Sequence, residues 1–197
     1  MKIHSADFLT SAAELEGCPD GGLGEFAFIG RSNVGKSSLL NMLTQRRGLA
    51  KVSSTPGATQ LINFFLINGN WHMVDLPGYG YSKTPQKIRE GFQQMVSEYL
   101  LERESLRCVF VLVDSRHSPQ KIDLKFCGWL AEAGIPFVVV FTKIDKSKGG
   151  KVKANVDAFL RELAEVVDGE PRTFLTSSEK GSGRVEVLEF IDKALRA

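Results

Sequence analysis

The sequence predicts an α/β fold, a three-layer domain with a mainly parallel six-stranded sheet and one antiparallel edge strand. Two apolar runs, 108–114 and 136–141, have the length of strands that helices cover on both faces. Three further segments, 85–103, 119–133 and 152–167, repeat apolar side chains at helical spacing. Strands that alternate with helices are typical of a parallel sheet between two helical layers. Polar residues that follow the strands are then expected at one edge of the sheet.

Composition sets the broad class of the protein. The chain has 197 residues, of which 43% are hydrophobic and 24% charged, so one domain over 1–197 is expected. Within it, residues 1–24 are expected to form a loop-rich extension, with an edge strand in 1–9. A net charge of +2 is too small to indicate nucleic-acid binding by itself. Three cysteines without metal-ligand spacing favour a reducing, cytoplasmic setting, and no apolar stretch predicts a signal peptide or membrane insertion.

A phosphate-binding loop is predicted at residues 30–37, which read Gly-Arg-Ser-Asn-Val-Gly-Lys-Ser between a short apolar strand and a helix. Its glycines let backbone N–H groups approach phosphates closely. Lys36 is expected to reach the β- and γ-phosphates, and the Ser37 hydroxyl to coordinate Mg²⁺. A glycine-rich turn is the alternative, but the flanking strand and helix favour a nucleotide site. The predicted nucleotide contacts are Gly30, Arg31, Ser32, Asn33, Val34, Gly35, Lys36, Ser37 and Ser38.

A second site element is predicted where a hairpin ends. Residues 61–67 and 71–75 flank Asn-Gly-Asn, which indicates two antiparallel strands. The second strand ends at Asp75, where a carboxylate can orient Mg²⁺, through a water molecule, and Gly78 can offer its N–H to a γ-phosphate. A simple turn is the alternative, and the position after a phosphate loop favours the phosphate-sensing interpretation. The nucleotide contacts predicted here are Asp75, Leu76, Pro77 and Gly78.

The base is predicted to be guanine. Asp145 follows a buried strand, and one carboxylate can accept hydrogen bonds from both N1–H and the 2-amino group of guanine. Adenine presents an acceptor at N1 and would leave that carboxylate unpaired. The Lys143 stem would cover the base, and backbone donors near Ser177 would reach its carbonyl. A solvated turn explains the tetrapeptide alone equally well, whereas the ordered set of motifs favours GTP and GDP. The predicted base contacts are Thr142, Lys143, Ile144, Asp145, Thr176, Ser177 and Ser178.

These motifs resemble those of small Ras-like P-loop GTPases, in the branch that includes Era, EngA, TrmE and EngB. The closest resemblance is to the EngB-type ribosome-biogenesis GTP-binding proteins. It rests on Gly-Arg-Ser-Asn-Val-Gly-Lys-Ser-Ser at 30–38, Thr-Pro-Gly-Ala-Thr-Gln at 55–60, Asp-Leu-Pro-Gly-Tyr-Gly-Tyr at 75–81, Thr-Lys-Ile-Asp at 142–145 and Thr-Ser-Ser at 176–178.

The resemblance implies roles for residues whose sequence pattern alone does not indicate a function. Thr59 would complete the Mg²⁺ shell in the GTP state, with Thr55 as the other candidate. The metal set is then Ser37, Thr59 and Asp75. The switch-loop contacts would be Gly57, Ala58, Thr59, Gln60 and Leu61, with Ala58 where the family often has arginine.

Hydrolysis is expected to be slow. Tyr79 stands where Ras-type enzymes carry a water-orienting glutamine. The catalytic set would be Lys36, Asn33 and Gly78, and the resemblance implies help from an activator or from a potassium ion held partly by Asn33.

The resemblance also implies a GTP switch in assembly of the large ribosomal subunit, with a link to normal septation and a monomeric chain. Five lysines lie between residues 143 and 153, and with Lys143 over the base the other four would offer a basic surface for rRNA. A solvated loop before a helix is the alternative for this segment. Two alternatives remain. A metabolic P-loop phosphotransferase would need an acceptor-binding lid, for which no segment is long enough. A GTP-switch interaction protein would act directly in septation.

Overall fold

The structure, a computed structural model, describes residues 1–50, 61–79 and 86–197, with side chains in the last range from residue 94 onward. The strands are β1 (Ala6–Ala12), β2 (Gly24–Gly30), β3 (Ile62–Ile67), β4 (Trp71–Asp75), β5 (Leu106–Asp114), β6 (Phe137–Thr142) and β7 (Thr173–Leu175). The helices are α1 (Lys36–Thr44), α2 (Gln86–Glu102), α3 (Lys121–Glu132), α4 (Gly149–Leu163) and α5 (Arg184–Arg196).

The described strands form one sheet in the order β1-β3-β4-β2-β5-β6-β7. β3 pairs antiparallel with both β1 and β4, whereas the other neighbouring pairs are parallel. Six of these strands therefore share one direction, and β3 opposes them. The predicted α/β class with a mainly parallel sheet is confirmed. The described sheet has seven strands where six were predicted, because the N-terminal residues add β1 at the edge and leave the antiparallel strand β3 one position inside it.

The predicted hairpin joins β3 to β4. Asn68 and Gly69 have φ of 51° and 69°, the left-handed conformation that the tightest hairpin turns require. The Asn68 side chain also accepts hydrogen bonds from the backbone N–H groups of His4 and Ser5. The turn is thereby tied to the segment that leads into β1.

Helices cover both faces of the sheet. Alternate residues of β5 pack against the helices on opposite faces. Val109, Val111 and Val113 pack on the side that includes residues of α3 and α4. The residues between them, such as Phe110 and Leu112, pack on the side of α1 and α5. Because successive side chains of a strand point to opposite faces, a strand buried on both sides reads as one continuous apolar run. No described helix has the length and apolar character needed to span a bilayer.

A charged cluster lies buried at the amino end of β2. Glu25, which is fully buried, accepts hydrogen bonds from Tyr99 at 2.7 Å and from Arg103 Nη2 at 2.6 Å. His72 Nδ1 lies 3.7 Å away, and Arg103 also donates to the carbonyl of Pro19. Burial opposes ionisation of Glu25, but the nearby His72 and the hydrogen bonds from Arg103 and Tyr99 outweigh it and lower the pKa of this carboxyl to about 2. The cluster therefore anchors the end of α2 to β2.

Replacing Glu25 by Gln is expected to lower the free energy of unfolding by about 3 kcal/mol at neutral pH, because Arg103 loses its buried partner. A lowered folded-state pKa stabilises the fold above the unfolded value of 4.5, and that contribution is lost as the pH falls towards 2. Urea unfolding across this range should therefore show the difference between the two proteins shrinking with acid. The exposed carboxyl of Glu14 gives the control, Glu14→Gln. A difference for Glu25→Gln that stays constant with pH would contradict the assignment.

Candidate nucleotide-binding site

The loop between β2 and α1 has the glycine requirements of a phosphate loop. A Cβ on Gly30 would lie 2.8 Å from the carbonyl oxygen of Leu112 and 3.0 Å from Val34 Cγ1, so the backbones approach too closely for any side chain. Gly35 has φ of 104° and is the N-cap of α1, and Asn33 has φ of 61°. The loop thus adopts the left-handed conformations that turn backbone N–H groups inward.

The serines of the loop lie where an anion would meet polar groups. Ser37 and Ser38 occupy the first turn of α1, where free N–H groups and the helix dipole favour negative charge. The hydroxyl of Ser32 is buried and has no hydrogen-bond partner among the described residues. A buried hydroxyl without a partner is costly, and a phosphate oxygen would satisfy it.

Lys36 and Asp75 meet at the centre of this region. β2 and β4 are parallel, with Phe28 opposite Asp75, so both strands end at the same edge. Lys36 Nζ forms an ion pair with the Asp75 carboxylate and donates to the carbonyl of Leu76. Both side chains are largely buried, at 11% and 5% exposed. The fold therefore joins two groups that the sequence assigned to phosphate and Mg²⁺.

This donor set fits a magnesium ion bound together with phosphates. Mg²⁺ keeps several waters and takes one or two carboxylates plus phosphate oxygens. Asp75 supplies one carboxylate at the strand end, and Ser37 supplies a hydroxyl one residue from Lys36. Among the described residues, no group of three or more acidic, histidine or cysteine side chains forms an all-protein cage. One carboxylate and one hydroxyl suit an ion whose other ligands are phosphate oxygens and water.

The turn after β4 is held against the phosphate loop. The N–H of Leu76 donates to Phe28 at 3.1 Å, and the N–H of Tyr79 donates to Gly30 at 3.3 Å. Tyr79 and Arg31 pair as a short parallel bridge. Gly78 is therefore fixed between two anchored residues, beside the start of the loop.

The segment after β6 also reaches the phosphate loop. Thr142 Oγ1 donates to the carbonyl of Val34 at 2.6 Å. Lys143, at φ of 60°, donates from Nζ to the carbonyl of Asn33 and lies 2.9 Å from Asp114 Oδ2. These contacts brace the loop from the side opposite Asp75 and connect it to the predicted base-binding residues.

Sequence reasoning missed Asp114. This carboxylate ends β5, pairs with Lys143 and accepts two hydrogen bonds from the Arg116 guanidinium at 2.9 and 2.7 Å. Burial opposes its ionisation, yet the hydrogen bonds from Arg116 and Lys143 lower the pKa of Asp114 to about 2. Its position at the end of a central strand, at the same edge as Asp75, was a signal that could have found it.

The remaining base-binding candidates come together between the ends of β6 and β7. The N–H of Ile144 donates to the carbonyl of Thr176 at 3.3 Å, and the N–H of Thr176 donates to Phe141 at 2.7 Å. Ser177, fully buried, hydrogen bonds to Asp145 and holds the pKa of that carboxyl below its usual range. Asp145 is therefore ionised and presents an acceptor, as recognition of guanine requires.

A glycine closes the loop that follows Ser178. Gly183 has φ of 79°, and a Cβ there would lie 2.3 Å from the carbonyl oxygen of Leu175. The loop folds back so that the N–H of Ser177 donates to Ser182 at 3.2 Å. Only glycine lets α5 begin this close to β7 and keep Ser177 next to Asp145.

Most of the predicted switch loop lies outside the described residues. Gly57, Ala58, Thr59 and Gln60 lie outside the described residues, as does Thr55, so the Mg²⁺ role of Thr59 stays a prediction. Leu61 is described, directly precedes β3 and is 39% exposed.

Comparison with known proteins identifies the family. The family model described as 50S ribosome-binding GTPase matches residues 25–143. The chain is 55% identical over 192 residues to "Probable GTP-binding protein EngB" of Bacteroides fragilis, covering 98% of this chain and 96% of that relative. The chain belongs to the EngB family of GTP-binding proteins. An EngB relative from Phocaeicola vulgatus is 54% identical over 197 residues, covering 100% of this chain and 98% of the relative.

Solved structures share the fold. The crystal structure of a probable EngB GTP-binding protein matches with a TM-score of 0.67 at 23% identity, covering 88% of this chain and 99% of that one. The structure of Era with MgGDPNP and a segment of 16S ribosomal RNA matches with a TM-score of 0.68 at 21% identity, covering 89% and 57%. These likenesses show that the chain shares its fold with solved GTP-binding proteins.

Replacing Asp145 by Asn is expected to weaken GTP binding by at least about a hundredfold, because an amide donor would then face the guanine donors. Xanthine nucleotide should gain affinity, since it carries a carbonyl in place of the 2-amino group. Competition of GTP and XTP against a fluorescent nucleotide measures both effects. Asp157→Asn removes an exposed carboxyl of α4 and serves as the control. Unchanged GTP affinity in Asp145→Asn would show that the base is recognised elsewhere.

Proposed function

We propose that this chain is a magnesium-dependent GTPase that acts as a molecular switch in assembly of the large ribosomal subunit. The observation that carries the nucleotide chemistry is the pairing of Lys36 with Asp75 beside the loop at 30–37. The ribosomal role is supported by the description of the family model, 50S ribosome-binding GTPase, that matches residues 25–143. A GTP-dependent interaction with the subunit is the property to test.

Phosphate binding would exchange the partners of Lys36. In the described conformation its ammonium group is neutralised by Asp75. With GTP bound, Lys36 turns to the β- and γ-phosphate oxygens, and the loop N–H groups donate to the remaining phosphate oxygens. Ser37, Asp75 through a water molecule, and Thr59 are the proposed holders of Mg²⁺. The bound ion supplies positive charge that offsets the charge on the phosphates.

Slow hydrolysis is consistent with the surroundings of Tyr79. Its hydroxyl donates to Asp123 at 2.9 Å, and burial raises the pKa of this phenol well above its usual value. The phenol therefore stays protonated and engaged, so it does not serve as a base for the attacking water. An activator or a monovalent cation would have to supply what the Ras-type glutamine supplies elsewhere.

Potassium is expected to raise GTP hydrolysis about tenfold over sodium if an Asn33-bound ion adds positive charge at the phosphates. Asn33→Gly removes the side chain and relaxes its φ of 61°, so it tests the side chain without adding backbone strain. The variant should lose the difference between the two salts. Its GDP affinity, measured in parallel, controls for damage to the loop. Equal rates in both salts for the unaltered protein would count against the ion.

The lysine-rich segment after β6 offers a smaller basic surface than its composition suggests. Lys143 pairs with Asp114, and Lys146 pairs with Glu179 and Asp145. The other three lysines are exposed and lie at or near the start of α4, at positions 148, 151 and 153. We define these three as the α4 basic surface, and propose that it contacts rRNA phosphates.

Co-sedimentation with 50S subunits in GDP, GTP and a non-hydrolysable analogue tests the switch. Binding is expected with GTP and the analogue. The affinity of the alanine triple variant of the α4 basic surface should depend less steeply on salt concentration, by the amount expected for the loss of up to about three phosphate contacts. Alanine at Lys2, Lys125 and Lys193 removes the same charge from exposed positions elsewhere and serves as the control. Binding that ignores the nucleotide would contradict the switch, and an unchanged salt slope would contradict the surface.

The cellular setting follows from the same proposal. The three cysteines are free thiols, which fits the reducing cytoplasm. We also propose that residues 1–197 act as one domain and as a monomer. Enrichment of the protein in membrane or septal fractions instead of ribosomal ones would favour a direct role in septation.

A further inference from the structure

A buried carboxylate outside the predicted site joins two parts of it. Asp123 is the third residue of α3 and is fully buried. Its Oδ1 accepts the hydrogen bond from the Tyr79 hydroxyl at 2.9 Å, and its Oδ2 lies 3.3 Å from Arg31 Nε. We call these three residues the Asp123 cluster. Arg31 follows the first glycine of the phosphate loop, and Tyr79 follows Gly78 in the turn after β4. We call residues 76–79 the Gly78 turn, so the cluster links the phosphate loop to the Gly78 turn.

Burial of the Asp123 carboxylate has a desolvation cost that its contacts offset only in part. Burial raises the pKa of Asp123 more than Arg31 and Tyr79 lower it. Its Oδ2 makes no well-aligned hydrogen bond within the described residues. Apolar side chains of similar volume usually stabilise such a position as well or better. The role of the Asp123 carboxylate is therefore to fix the positions of Tyr79 and Arg31.

The cluster holds the Gly78 turn in place. Tyr79 is fixed by its backbone, through the N–H donated to Gly30, and by its ring, which packs on Phe126 at 4.8 Å between centroids. The hydroxyl bond to Asp123 fixes the end of that ring. Gly78 lies between Tyr79 and Leu76, and both neighbours are tied to β2. Loss of the Asp123 bond would free one side of the turn that carries the Gly78 N–H.

We infer that Asp123 is a positioning residue that holds the Gly78 turn against the phosphate loop and so favours GTP over GDP. This inference rests on the proposed function, in which the Gly78 N–H meets the γ-phosphate. GDP has no γ-phosphate and makes no use of that N–H. A restraint on the turn therefore changes affinity for the triphosphate and leaves affinity for the diphosphate in place.

Tyr79→Phe tests the inference, because it removes only the hydroxyl. The variant is expected to bind a non-hydrolysable GTP analogue about tenfold more weakly, the effect of losing one hydrogen bond to a charged group. Its GDP affinity should stay within about twofold of that of the unaltered protein. Asp123→Ala also removes the contact with Arg31 and should lower the ratio of the two affinities at least as much. Adding Tyr79→Phe to Asp123→Ala should lower the ratio no further, since the bond from the hydroxyl is already lost. Asp123→Asn keeps an acceptor for the hydroxyl and should retain most of the ratio.

The other end of the sheet offers a matched control. Tyr99 also donates its buried hydroxyl to a buried carboxylate, that of Glu25, at 2.7 Å. Tyr99→Phe should lower stability in thermal unfolding and leave the ratio of GTP-analogue to GDP affinity unchanged.

Three results would overturn the inference. These are no change of either affinity in Tyr79→Phe, losses by the same factor for both nucleotides in that variant, or the same change of ratio in Tyr99→Phe. Because Tyr79→Phe is a minimal change, the test does not depend on Asp123→Ala folding. If the unaltered protein binds both nucleotides and Tyr79→Phe matches it, the inference alone fails. If the unaltered protein binds the GTP analogue no differently from a nucleotide lacking guanine, the proposed function fails as well.

Discussion

The parallel pairing of β2 with β4 is the constraint on which the site depends. These strands are far apart in sequence, yet Phe28 lies opposite Asp75 and both strands end at one edge. The register brings the Asp75 carboxylate to Lys36, at the start of the helix that follows β2. A shift of one residue would exchange the faces of β4, and would move Asp75 away from the phosphate loop. The fold therefore sets the chemistry of the site through strand order and register.

The other half of the site depends on side chains that brace the loop. Thr142 and Lys143 donate to carbonyls of Val34 and Asn33, and Asp114 neutralises Lys143. The bond from Thr142 satisfies the carbonyl of the buried Val34, which a buried polar group requires. They also place the start of the base-binding segment in contact with the phosphate-binding segment. The segments proposed to bind the base and the phosphates are thus joined by one connected set of hydrogen bonds.

Charge is distributed differently at the two ends of the sheet. At the amino end, the Glu25 carboxylate accepts hydrogen bonds from Tyr99 and Arg103 and has a lowered pKa, so its charge is neutralised within the protein. At the carboxyl end, Lys36 and Asp75 are paired with each other, and Ser32 has a buried hydroxyl without a described partner. A carboxylate that is hydrogen bonded to protein groups stabilises the fold, whereas groups that can exchange partners are available to a ligand. The contact between Arg103 and Glu25 therefore anchors α2 at the opposite end of the sheet from the edge where nucleotide binding is proposed.

The sequence by itself determined the features that have a local physical cause. The apolar run of β5 and the left-handed turn at Asn68 and Gly69 depend on neighbouring residues, and so does the helix start after Gly35. Motif order was enough to indicate the GTPase family, and the relatives at 55% identity confirm it. Only the tertiary structure decided which charges meet. Asp114 pairs with Lys143 across 29 residues of sequence, and Asp123 bonds to Tyr79 across 44. Such contacts follow from the order of strands in the sheet and from the packing of α3, and periodicity along the chain encodes neither.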